Sequence, residues 1–167
     1  TMAVGDVFFN GTLGFSVQQG EKVAQLPPGQ LAATAAGIAG SFGNSVALWQ
    51  SRLVEKPDKR GRPVKAWEFR QAWSVPGIPA SVTVASAGDQ LLLGGDKKVG
   101  LFDMKTRELV WQTTIEGVAY GVVPCNGRLF VSTDQGVIHC FSPARQTVPL
   151  AQAPARKPKT TLADQTA

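Results

Sequence analysis

The feature that most constrains this chain is a strand–turn–strand pattern that recurs after 38 residues. Gly88-Asp89-Gln90-Leu91-Leu92-Leu93 aligns with Asn126-Gly127-Arg128-Leu129-Phe130-Val131; Asp96 then meets Asp134, and Val99 meets Val137. With one residue inserted, Phe102 meets Phe141. The apolar runs between the turn residues predict strands at Ser81–Ala85, Gln90–Gly94, Val99–Phe102 and Leu109–Thr114, then at Val118–Val123, Arg128–Ser132 and Val137–Phe141. Short β-prone runs broken by Gly, Asp and Asn every ten or so positions indicate an all-β meander.

A period near 40 residues with four strands per unit is the pattern of β-propeller blades. A four-stranded blade cannot bury both its faces alone, and stacking blades around an axis covers them. Gly5-Asp6-Val7-Phe8-Phe9 is a fainter copy, 83 residues ahead of Gly88-Asp89-Gln90-Leu91-Leu92. The unit between is expected to hold a hairpin, Ser45–Val54 with Val64–Trp73, joined by an exposed charged loop from Glu55 to Pro63. Gly37 to Gly43 lacks the Gly-Lys-Ser/Thr of a phosphate loop and reads as an irregular connection between blades. Two firm units and two faint ones make at most four blades, so an incomplete ring is expected. Such a segment exposes a blade face and self-associates, unless the strand near Asp6–Asn10 completes a three-stranded last blade. Residues 1–142 are read as blades, 81–141 being the firmest two units. Residues 143–167, rich in Pro, Ala and Lys, are read as a disordered tail or linker.

Composition agrees: 18 Gly and 11 Pro disfavour a helical bundle. The net charge of +5 gathers in two places: Lys56, Lys59, Arg60, Arg62 and Lys65, and Arg145, Arg156, Lys157 and Lys159. Neither group interleaves aromatics as a single-strand stacking surface does, so nucleic acid is not the expected partner. Val23 to Ser51 lacks charge but holds Pro27, Pro28 and Asn44, too weakly apolar for a transmembrane span. The chain begins at Thr1, and the expectation is a fragment of a larger bacterial protein whose targeting signals lie elsewhere. No metal site is expected: Cys125 and Cys140 fit no zinc spacing, and His139 is the only histidine. His139 and Cys140 alternate across a strand and do not form a nucleophilic pair. A tight turn within Thr133–Gly136 would set Cys140 opposite Leu129 or Val131, too far from Cys125 for a disulfide. Both cysteines are expected to be free, buried thiols.

Leu101-Phe102-Asp103-Met104-Lys105-Thr106-Arg107-Glu108-Leu109-Val110-Trp111 resembles the repeat of the pyrroloquinoline-quinone (PQQ)-like propeller superfamily, Ala-x-Asp-x-x-Thr-Gly-x-x-x-Trp. Asp103, Thr106 and Trp111 match at the family spacing, while Leu101 replaces the Ala and Arg107 the Gly. The resemblance implies structural docking roles for Asp103 and Thr106 in the turn and for Trp111, buried between adjacent blades. The catalytic quinoproteins of the family carry a vicinal disulfide, calcium and an aspartate base. This chain has no adjacent Cys-Cys pair, no catalytic residue can be assigned, and its cofactor-binding residues are unknown. The reading is therefore a non-catalytic binding or scaffold module, extracytoplasmic or periplasmic by resemblance. Its expected partner is a protein or a fused domain, and its candidate partner loop is Lys56, Lys59, Arg60 and Arg62. The alternative is part of a quinone-dependent dehydrogenase whose site lies on other blades; PQQ and calcium are expected only there.

Overall fold

The computed structural model describes residues 1–143. Beyond Pro143, the expected tail and its basic residues Arg145, Arg156, Lys157 and Lys159 lie outside the described residues. Those residues form thirteen strands and no helix. Among the described residues no helix is long and apolar enough to cross a membrane.

The first sheet is β1 (Met2–Val4), β2 (Val7–Asn10), β3 (Leu13–Ser16) and β4 (Lys22–Gln25), in that order. The second is β5 (Gln30–Thr34), β6 (Gly37–Ser41), β7 (Ser45–Pro57) and β8 (Pro63–Pro76). The rest pairs in the order β13-β12-β11-β10-β9, with β9 at Thr83–Ala87, β10 at Gln90–Asp103 and β11 at Glu108–Cys125. β12 is Arg128–Thr133 and β13 is Ile138–Phe141. All pairings are antiparallel.

The long run β10 doubles back on itself. Fourteen extended residues would span about 45 Å. Instead, Met104 N–H, just past its end, donates to the carbonyl of Asp89, just before its start, at 2.9 Å. Lys105 Nζ also lies 2.6 Å from Asp89 Oδ2. The reversal falls where Lys97 takes a φ of 53°, beside Gly94 and Gly95. β11 divides in a related way at Gly117, φ 78°. Its first part pairs with β10 and its second, Ala119–Cys125, with β12. Four stacked units result: two complete four-stranded sheets, a third made of β9, both arms of β10 and the start of β11, and a three-stranded fourth.

Three apolar layers lie between successive units. Val7 and Phe9 of the first sheet meet Ile38 and Phe69 of the second. Val46, Leu48 and Trp73 of the second meet Leu91, Leu93 and Phe102 of the third. Leu92, Val99 and Trp111 of the third meet Val122, Val131 and Phe141 of the fourth. Alternation along each strand sends one set of side chains to each neighbour: Leu91 and Leu93 face back while Leu92 faces forward. The sheets do not close into a ring. The outer face of the fourth unit leaves Tyr120, Val123 and Ile138 at 65%, 56% and 71% exposure.

The structure corrects several expectations. The strand expected at Ser81–Ala85 runs instead from Thr83 to Ala87, although Val82 N–H still bonds to the Gly94 carbonyl of the partner strand. Val118–Val123 is a strand as expected, but it extends to Cys125 and follows the preceding strand without a loop, with only the bend at Gly117 between them. Gly37–Ser41 is a buried strand rather than an irregular connection; it is rich in small residues because β5 runs so close that a Cβ on Gly40 would collide with the Gln30 carbonyl oxygen. The charged loop shrinks to Asp58–Arg62, because pairing continues to Pro57↔Pro63. The N-terminal residues do not complete the last sheet: β1 pairs with β2 in the first. Cys125 and Cys140 are free, as expected, but exposed. The loop after Thr133 has three residues, closed by Thr133 N–H to the Val137 carbonyl at 3.0 Å. That odd number sets Cys140 opposite Phe130, not Leu129 or Val131, and turns it to the outer face.

Candidate functional site

The connection between the third and fourth strands of the third unit is a tight turn built by Asp103. Its Oδ1 accepts the backbone N–H groups of Lys105 and Thr106 at 2.8 and 3.0 Å. Those bonds, Thr106 first, hold the carboxyl below its ordinary value, since they favour the charged form. Arg107 then takes a φ of 62°, a conformation that suits the glycine of the family pattern. Its guanidinium lies over Trp73 at 5.6 Å. Lys105 is raised by its hydrogen bond to Asp89. Trp111 is half-buried rather than largely buried: its ring meets Phe141 edge-on at 5.2 Å, and an open groove of about 910 Å³ runs beside it. Leu92, Leu101 and Leu129 line the same groove.

The same connection in the second unit is the β7–β8 hairpin, paired from Ser45↔Pro76 to Pro57↔Pro63. Its partner β6 reaches only Trp49, so the hairpin continues past its own sheet. Phe69 meets Phe9 edge-on at 5.6 Å, and Trp67 packs with it, laying one face on the first sheet. The opposite face carries Gln50 with Arg70, Arg52 with Glu68, and Lys56 with Val64, each pair cross-strand neighbours. Arg52 Nε donates to Glu68 Oε2 at 2.6 Å, which lowers the Glu68 pKa. Arg52 and Arg70 border a hollow of about 490 Å³ floored by Thr34, Ala35 and Gly37.

The candidate partner-loop residues divide into two sets. Arg62 is tied to Asp58 at 2.8 Å, and Lys56 lies 3.7 Å from Glu68. Asp58 also accepts the backbone N–H groups of Arg60 and Arg62, so it shapes the tip and its pKa is lowered, first by Arg62. Lys59 and the Arg60 side chain are exposed at the tip with no ion pair among the described residues. Arg52 and Arg70 were missed from the sequence, although their even spacing from Lys56 along paired strands signals a shared face. Residues 50–71 hold seven Lys or Arg and three Asp or Glu, a net +4; the other described residues hold six and eight, a net −2. Among the described residues no cluster of His, Cys, Asp and Glu has metal-holding geometry.

No family model matches the chain, and no curated protein does. Among solved structures it is similar to BamB from Moraxella catarrhalis, with a TM-score of 0.52 and 14% identity over 77% of this chain and 36% of that one. It also matches the β-propeller domain of Cps50 (Swd1) from Myceliophteria thermophila, with a TM-score of 0.39 and 13% identity over 86% of this chain and 66% of that one. The chain spans little more than a third of the length of the Moraxella protein. At such identity the likeness speaks for the fold: the chain is a run of antiparallel β-propeller sheets that is not closed into a ring.

Proposed function

We propose that this chain is a non-catalytic binding and scaffold module with quinoprotein-type repeats, acting outside the cytoplasm, and that the β7–β8 hairpin takes an acidic segment of a protein partner. The observation that carries this reading is the charge separation: a net +4 on one hairpin against −2 on the rest of the described chain. Trp67 and Phe69 anchor the hairpin, so its basic face and the Arg52–Arg70 hollow are held in place before a partner arrives. Preorganisation of that kind lowers the cost of association. Lys59 and Arg60 extend the positive surface to the tip, where they steer an acidic chain inward.

A deca-glutamate peptide serves as the probe. Wild-type protein should bind it with an affinity that falls steeply as salt rises. The double variant Arg52→Glu, Arg70→Glu should lose that binding while its melting temperature stays close to wild type. Equal binding by the variant, or binding indifferent to salt, overturns the reading.

A further inference from the structure

Resting on the hairpin reading, we infer that the segment bound there is acidic at one end only: it sets one carboxylate on Arg70 in the hollow and, four residues away, an apolar side chain against Val54, Ala66 and Val64.

The hairpin is regularly paired from Trp49↔Gln71 to Pro57↔Pro63, with no bulge between. Its side chains therefore alternate strictly between the two faces. The face that carries the arginines consists of four successive cross-strand rows: Gln50 with Arg70, Arg52 with Glu68, Val54 with Ala66, and Lys56 with Val64. A charged end is thus followed by an apolar stretch. Val64 is 42% exposed, and Val54 and Ala66 are half-buried. Covering these three adjoining side chains with another apolar group removes them from water, which is favourable in proportion to the area covered. Among the described residues the hollow at the charged end is lined only from Val4 to Arg70.

Glu68 decides which cation is available. Arg52 Nε donates to it at 2.6 Å, and Lys56 Nζ lies 3.7 Å from its other oxygen. Arg70 borders the hollow with no ion pair among the described residues. A carboxylate entering there meets a planar fork of donors that matches its two oxygens. Arg52, already bonded to Glu68, contributes attraction rather than a bond. A carboxylate laid over Val54 and Val64 would lose water without gaining a partner, so that part of the face selects against acid. Rows on one face are about 7 Å apart, which puts the Val54 row about 14 Å from the Arg70 row. An extended segment lying along the hairpin covers that distance in four residues. Its own period of two turns residues i and i+4 to the same side.

The probe is the end-blocked nonapeptide Leu-Ser-Thr-Ser-Glu-Ser-Thr-Ser-Leu, whose two leucines serve either direction of approach, titrated into the full ¹⁵N-labelled chain. The expected result is saturable shifts at the Val54, Ala66 and Arg70 amides. Replacing both leucines with serine should weaken binding at least about fivefold, and replacing the glutamate with glutamine should do so by a similar factor. Arg70→Gln should abolish the preference for glutamate over glutamine and keep the preference for leucine. Val54→Thr with Val64→Thr, which preserves the β-branched shape of the strands, should do the reverse. Equal binding of the leucine and serine peptides overturns the inference; deca-glutamate that still binds in that case leaves the hairpin reading standing. A glutamate preference that survives Arg70→Gln overturns it as well, as does the absence of saturable shifts on the hairpin. Deca-glutamate that fails to bind sinks the hairpin reading, and this inference with it.

Discussion

The second and third units use the same connection in opposite ways. In the third, Asp103 ties a four-residue turn and the strands stop at once. In the second, the strands run on to Pro57 and Pro63 before turning. The turn at Ala35-Ala36 precedes that at Gly88-Asp89 by 53 residues, while Trp73 and Trp111 keep the 38-residue spacing. The 15 additional residues therefore lie in the hairpin. Both units retain the anchor that packs blade on blade, and one adds a basic surface outside it. Architecture and recognition are separable here because the added residues enter only beyond the last pairing with β6.

Removing the shared anchor should have the largest effect. Phe102→Ala should cost about 3–5 kcal/mol in chemical denaturation, since the ring is fully buried against Trp73. Trp111→Ala, beside the open groove, should cost about 2 kcal/mol, below the usual range for a buried aromatic. Equal costs would mean that the two boundaries are packed alike.

Exchanging the connections tests whether they are independent of the anchor. Replacing Val54–Ala66 with Met-Lys-Thr-Arg should change stability by less than about 1 kcal/mol, because the replaced part is mostly exposed and Trp67 and Phe69 remain. Deca-glutamate binding should weaken at least about tenfold, since several of the cations are removed. A large loss of stability would show that the tip supports the first sheet.

The tight turn supplies a smaller, pH-dependent effect. Asp103 is held below its ordinary carboxylate value in the folded chain. Its contribution is therefore present above the unfolded carboxylate range and lost as pH falls through the folded value. Asp103→Ala should lower the urea midpoint at pH 7, and the gap from wild type should close at pH 2. A gap unchanged by acid would place its origin elsewhere. The smallest effect is expected from PQQ with calcium: equilibrium dialysis should retain no chromophore on the chain, and a bound chromophore would revive the dehydrogenase reading.

Much of the fold was legible because Gly88-Asp89 and Asn126-Gly127 punctuate strands whose apolar residues alternate or run together. The 83-residue copy is real in the backbone: Val17 N–H bonds to the Asp6 carbonyl just as Met104 N–H bonds to that of Asp89. The second unit was faint for two physical reasons. Its β6 is Gly, Ala or Ser at every position but Ile38, because a neighbouring backbone leaves no room at Gly37 and Gly40, so the usual β-branched signal is reduced to one residue. The hairpin insertion also shifts the period. The basic loop was visible as composition, but no local pattern says that Trp67 and Phe69 turn one face inward and leave Arg52 and Arg70 on the other. Cys140 was misplaced by one residue of loop length, enough to move a side chain from one face of a sheet to the other.

An unclosed stack also has ends, and its cohesion is one-dimensional. Each middle unit is held by two neighbours and each outer unit by one, so stability is a sum of nearest-neighbour couplings rather than the property of a loop. Opening then starts at the extremities and travels inward. The outer units should therefore lose amide protection before the strands around Leu91 and Val99, a gradient that hydrogen exchange would read out.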